Sequence, residues 1–305
     1  MMKKTITMLL CLSLLLCGAG LAEEAAASDG AITMQAICEA NSFAALTAKY
    51  ALVGVNIINY DASGAETDSQ YFGYGQGGEI LFENSDGYSE YYAGADRAYI
   101  FDPATNQFSV RVFLDEAELA SYKTSYQRLI TYNEAETIAS ANTEEGIVTT
   151  QLALDEAAAA SYEAALGVEN ASALAYEYVL DPETLEISQC SASVVADGAQ
   201  VLLSTVYFTY AGEALTPPEF VESLANPEST RTVTLVYNDV STEYVIAQDA
   251  LLRYTVPDGY EAYASADKAP LPDASETGGA DETIYLLPIE KIAAEEEPAG
   301  AETAE

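Results

Sequence analysis

One strand-like segment limits the choice of fold more than any other. In Tyr50–Asp61, Val53, Val55 and Ile57 share one face, while Leu52, Ile58 and Tyr60 share the other. Alternate residues of a strand point to opposite sides, so this strand is apolar on both. A sheet built on it has to be covered on both faces. A curved sheet with helices packed against it meets that demand, and a ligand can replace part of the filling.

The residues that follow extend the sheet. Short strands are expected near Gln70–Tyr74, Glu79–Glu83, Tyr88–Ala93, Arg97–Asp102 and Gln107–Leu114, separated by Gly, Asn and Asp clusters. That spacing is the mark of an antiparallel meander. Ile32–Leu46 precedes it with helical periodicity, Met34, Ile37, Cys38 and Ala45 falling near one face. Two helices start on the same cue, Leu-Asp-Glu-Ala at 114–117 and at 154–157, with Asp115 and Asp155 at N-cap positions. Leu119, Tyr122, Tyr126 and Leu129 form a stripe that reads as a core face. A strand, Gly146–Leu154, separates the helices, and Gly167 is placed to end the second. Strands Ala173–Leu180 and Leu185–Val195 flank an Asp181-Pro182-Glu183-Thr184 turn, and Gln200–Tyr210 follows. The same turn grammar occurs at Asp102-Pro103-Ala104-Thr105.

The fold class is therefore α+β: a curved antiparallel half-barrel sheet with covering helices, spanning 31–215, followed by a small all-β module. Residues 216–230, which open with a short helix, read as the linker and 231–288 as the module, with strands at Thr232–Tyr237, Glu243–Gln248, Leu251–Val256 and Thr283–Leu287. About 60 residues are marginal alone and sufficient when docked. Residues 289–305 are acidic, Ala-rich and expected to be disordered.

Residues 1–22 read as an export signal, with Lys3 and Lys4 ahead of the apolar run Ile6–Leu16. Gly20-Leu21-Ala22 sets cleavage after Ala22; the rival is a lipid anchor at Cys17, three residues after Leu14. Both readings place the chain outside the cytoplasm, secreted or associated with the cell envelope. No later segment is long and apolar enough for a transmembrane helix. Cys38 and Cys190 remain in the exported body. In an oxidising compartment an even pair reads as one disulfide, which by loop closure would stabilise the fold by about 5 kcal/mol. The alternative is two separately packed thiols.

Charge and composition exclude several classes. With 11 Lys+Arg against 49 Asp+Glu, the chain carries a net −38 and repels nucleic acids and anionic headgroups. The chain has no His, which removes Ser-His-Asp and Cys-His catalysis and every His-ligated metal site. The glycines at 73, 75, 77 and 78 are followed by strand-forming Glu79-Ile80-Leu81-Phe82 and by no GKS or GKT, so they read as a hairpin loop or bulge and not as a phosphate cradle. No EF-hand spacing is present, and Asp102 and Asp181 serve turns better than glycoside hydrolysis. We expect no catalytic residues, no metal and no cofactor. Tyrosine is abundant, 22 against 8 Phe. Tyr71, Tyr88 and Tyr92 are the candidate ligand contacts, since tyrosine offers a flat apolar body and a polar tip; ordinary half-buried sheet tyrosine is the alternative.

The order of elements resembles the LolA/LolB/LppX-like family of exported carriers and lipoproteins. The likeness is carried by Ile32–Tyr60, the Tyr71–Leu114 strands, and Tyr176–Tyr210 with its Asp-Pro-Glu-Thr turn. The resemblance implies a strongly curved, unclosed sheet whose concave side holds helices or an apolar ligand. It implies binding of a lipid, a lipoprotein or another amphiphile, with a cell-envelope protein as a possible partner. The alternative function is an extracellular structural or adhesion protein contacting surface polymer or protein.

Overall fold

Leu52–Tyr60 forms β1, and the larger sheet grows outward from it in both directions. The structure is a computed structural model that describes residues 32–127, 137–142, 144–269 and 280–289. The export segment with Cys17, Leu129 of the tyrosine stripe, and residues 290–305 of the acidic tail lie outside the described residues.

To one side of β1 run β2 (Glu66–Gly75), β3 (Ile80–Asn84), β4 (Ser89–Tyr92), β5 (Arg97–Asp102) and β6 (Gln107–Val112), each antiparallel to the last. To the other side run β11 (Ala199–Ala211), β10 (Ile187–Ala196), β9 (Ala171–Leu180), β8 (Ile147–Ala153) and β7 (Thr137–Asn142). β14 (Leu251–Arg253) adds to β6 in parallel, completing a 12-stranded sheet that curves without closing. β12 (Thr230–Tyr237), β13 (Val240–Ala247), β15 (Tyr260–Tyr263) and β16 (Glu282–Pro288) make a separate 4-stranded sheet, in which β12 and β16 are parallel. The strand expected at Leu251–Val256 thus leaves the small module and borders the large sheet.

Four of the five described helices lie on one face of the large sheet. The expected helix Ile32–Leu46 is two short ones, α1 (Met34–Ala40) and α2 (Phe43–Lys49). The break has a local cause: Thr33 caps α1 by accepting from Ala36 N–H, and Ser42 starts a new helix by accepting from Ala45 N–H. Asn41 between them is fully buried. Its Nδ2 donates to Ile37 O (2.8 Å) and Leu185 O (2.7 Å), and its Oδ1 accepts from Ile187 N–H (2.9 Å). One side chain thereby fixes the helix pair to the β9–β10 turn. Asn41→Ala is expected to cost about 2–3 kcal/mol, because buried backbone groups lose their partners. Chemical denaturation reads this as a lower midpoint at unchanged slope; an unchanged midpoint would contradict the clamp.

α3 (Glu116–Gln127) and α4 (Glu156–Leu166) occupy the same side. Asp155 caps α4 by accepting from Ala158 N–H, and Gly167 ends it at φ 67°, both as the sequence indicates. Under α1 and α2, Val53, Val55 and Ile57 pack with Phe72, Tyr74, Ile80 and Phe208; under α4, Tyr162 packs on Leu174, Val194 and Leu203. Among the described residues, the opposite face is covered toward β2–β6. There Leu81, Tyr91, Tyr99 and Val110 meet Val233, Leu235 and Ile284 of the small sheet and Val221 and Leu224 of α5 (Glu219–Ala225). Two-sided cover is therefore realised on the meander, and Leu52, Ile58 and Tyr60 on the second face of β1 stay half-buried.

Cys38 and Cys190 form no disulfide. Cys38 is half-buried on α1, whereas Cys190 faces the apolar core from β10, where it packs as a small apolar side chain. An even pair in an oxidising compartment carries no information on distance, and the sulfurs are held apart at more than disulfide distance.

Candidate functional site

Alternation along β4 and its lead-in sends Tyr88, Glu90 and Tyr92 toward the helices and Tyr91 toward the small sheet. Next to them on the helix side stand Phe72 of β2 and Phe82 of β3, ring centres 4.8 Å apart. Phe82 lies 6.0 Å from Tyr88. Phe113, just past β6, lies 6.0 Å from Tyr92.

α3 closes over this aromatic floor with two rings of its own. Tyr122 contacts Phe113 (4.9 Å), Tyr92 (5.8 Å) and Tyr126 (4.9 Å), and Tyr126 contacts Phe72 and Phe82, each at 6.1 Å. The Tyr74 hydroxyl donates to Tyr126 O (2.9 Å). At the start of α3, Asp115 Oδ1 accepts from Glu118 N–H (2.8 Å) and Glu118 Oε2 accepts from Leu114 N–H (2.7 Å), a reciprocal cap. Yet none of the α3 side chains whose burial is described is fully buried. The helix rests on rings and carries no deep apolar anchor.

A charged pair lies within this apolar layer. Glu90 is 3% exposed, and its Oε1 is 3.4 Å from Arg111 Nε. In register Arg111 lies opposite Ala98 and Glu90 opposite Ile100, so the guanidinium meets the carboxylate along a diagonal across β5. The Tyr88 hydroxyl donates to Glu90 Oε2 (2.9 Å). Burial, then the Glu90 charge, pushes the Tyr88, Tyr122 and Tyr126 hydroxyls well above the ordinary tyrosine range, so all three are neutral at physiological pH. Arg111 Cζ lies 5.9 Å from the Tyr122 ring centre, and Lys123 Nζ lies 5.1 Å from that of Tyr92.

The candidate tyrosines thus divide. Tyr88 and Tyr92 share the helix-covered face, whereas Tyr71 stands on the other, within the core that includes the small sheet. Its ring lies over Gly54, where an added Cβ would come within 3.0 Å of the Tyr71 hydroxyl. Tyr122 and Tyr126, expected as core, line the layer; Glu90 and Arg111 were not singled out. The available signal was a carboxylate at Glu90, on the same side of the strand as Tyr88 and Tyr92.

Two cavities lie elsewhere. One of about 370 Å³ is lined by Phe108, Leu224, Pro227 and Ala247, beside α5 and β13. Another of about 340 Å³ is lined by Thr149, Gln151, Glu177, Ser191 and Ser193, over β8–β10. Neither is lined by Tyr88 or Tyr92. Among the described residues, no group of three or more His, Cys, Asp or Glu is placed to hold a metal ion, and no helix is long and apolar enough to cross a membrane.

No protein-family model matches the chain, and no curated protein matches it. Its structure is distantly similar to that of LprF from Mycobacterium bovis, at 13% identity and TM-score 0.31, over 61% of this chain and 97% of that one. It is similar to a LolA superfamily protein from Nitrosomonas europaea, at 9% identity and TM-score 0.25, over 63% of this chain and 97% of that one. The MucA/MucB complex of Pseudomonas aeruginosa gives 14% identity and TM-score 0.27, over 70% of this chain and 72% of the matched chain. These are partial likenesses at low identity.

Proposed function

We propose that this protein is a non-catalytic extracytoplasmic binding protein of the cell envelope that holds an apolar or amphiphilic ligand, such as a lipid, between α3 and the aromatic face of its large sheet. The observation that carries the reading is the layer of rings itself. Phe72, Phe82, Tyr88, Tyr92 and Phe113 form a floor, and a helix with no fully buried side chain among those described supplies its cover through Tyr122 and Tyr126. Elements so lightly held open at low free-energy cost. In this arrangement the helix tyrosines occupy the place of the ligand, and a ligand binds by taking over their contacts with the floor. Tyr88 and Tyr92 touch the ligand; Tyr71, on the other face, does not.

The test is native mass spectrometry of the purified protein mixed with a total polar-lipid extract, paired with organic extraction of the bound material. The expected result is a mass increment that matches an extracted lipid. A bare protein mass under all loading conditions overturns the reading and favours the structural or adhesion role.

A further inference from the structure

We infer that the site beneath α3 selects a zwitterionic phospholipid, with its phosphate at Arg111 and Arg253 and its ammonium group at Glu90. This rests on the binding function proposed above and specifies the ligand for that same site.

The starting observation is a set of unmet polar atoms inside the aromatic layer. Glu90 Oε1 and Arg111 Nε are both buried, and neither makes a hydrogen bond of good geometry. Glu90 and Arg111 attract each other at 3.4 Å without making a well-directed hydrogen bond. Leaving such groups unpaired costs about 1–3 kcal/mol each, more for charged ones. Ring packing alone gives no reason to keep an acid and a base there.

The register supplies a second cation. β14 runs parallel to β6 with Arg253 beside Arg111. Arg253 Nε donates to Ser109 Oγ (3.1 Å), and its Nη2 lies 4.0 Å from Asp102 Oδ2, with the side chain 36% exposed at the rim. Lys123 on α3 lies over Tyr92. A chain with only 11 Lys+Arg against 49 Asp+Glu therefore gathers three cations around one aromatic face. Two adjacent guanidiniums suit a phosphate diester. Glu90, ringed by Tyr88, Tyr122 and Tyr126, suits an ammonium group, which gains both the carboxylate and the aromatic faces. The net charge of −38 repels an amphiphile that is anionic overall. A neutral diacylglycerol adds no charged partner to the poorly directed Glu90–Arg111 pair. A headgroup that carries both signs answers each, while its acyl chains take over the contacts that Tyr122 and Tyr126 make with Phe72, Phe82 and Phe113.

The experiment titrates the full protein with phosphatidylethanolamine, phosphatidylglycerol and diacylglycerol of identical acyl chains, and separately with soluble glycerophosphoethanolamine, by native mass spectrometry. Phosphatidylethanolamine is expected to bind about tenfold tighter than either other lipid, and the soluble headgroup at least ~100-fold weaker than the lipid. Arg253→Gln, which gives up the 3.1 Å hydrogen bond to Ser109 Oγ but keeps a polar side chain there, is expected to erase about tenfold of the preference over diacylglycerol, and Glu90→Gln to erase the preference over phosphatidylglycerol. Equal binding of the three lipids, an unchanged preference in Arg253→Gln, or a soluble headgroup that binds as well as the lipid would each overturn the inference while leaving lipid binding intact. Failure of every lipid to bind overturns the proposed function and this inference with it.

Discussion

Replacing Arg231 with alanine is expected to destabilise the protein by about 3–5 kcal/mol, the range for breaking a buried ion pair by removing one partner. Arg231 is 3% exposed, at the start of β12. Its Nη1 donates to Glu282 Oε1 (2.7 Å) and Ala280 O (3.3 Å), and its Nη2 donates to Ala250 O (3.0 Å). One guanidinium therefore joins three segments: β12, the entry to β16 and the turn from β13 into β14. The alanine variant leaves a half-buried carboxylate and two carbonyls without their donor. The damage reaches past the small sheet, because Ala250 directly precedes β14, which borders β6 and carries Arg253. Thermal unfolding is expected to show a midpoint roughly 10 °C lower. Arg231→Lys should recover little of that, since an ammonium group cannot reproduce the planar fork. A shift under about 2 °C would show that the guanidinium is a spectator.

Local chemistry was the legible part of this sequence. β5 spans Arg97–Asp102 as expected, because it ends where Asp102 Oδ1 accepts from Ala104 N–H. The matching turn at Asp181 accepts from Glu183 and Thr184 N–H in the same way. These are short-range hydrogen bonds that a few residues determine by themselves. Pairing across long separations was not legible. Leu251–Arg253 reads as a strand, yet nothing in it specifies a parallel partner at Ser109–Arg111. β7 was invisible for a different reason: Thr137–Asn142 is exposed at almost every position, so burial imposes no alternation on its residues. The site shows the same division. Alternation put Tyr88 and Tyr92 on one face; only inter-strand register shows that Tyr71 lies on the other and that Arg111 meets Glu90 diagonally across β5. Likewise, counting cysteines cannot reveal that a helix and a strand keep Cys38 and Cys190 apart.

The double variant Tyr122→Ala/Tyr126→Ala separates a structural helix from a displaceable one. Both rings are half-buried, so their loss is expected to cost about 2 kcal/mol each, below the 3–5 kcal/mol of a fully buried aromatic. If α3 is ordinary core, that loss is the whole result. If its tyrosines hold the place of a ligand, the same change bares Phe72, Phe82, Tyr92 and Phe113, and two measurements move in opposite directions. The melting temperature falls, while binding of an environment-sensitive apolar dye rises by about tenfold, as expected of roughly 1.4 kcal/mol no longer spent on displacing the rings. Lipid then restores stability in proportion to the logarithm of its concentration, by about 2.7 kcal/mol at a hundredfold excess over its dissociation constant. Tyr207→Ala, which removes a ring exposed on the other face of β11, should move neither quantity. A double variant that loses stability yet takes up no more dye than the unmodified protein would mean that the rings of α3 are core, and the ligand site would then have to lie elsewhere on the molecule.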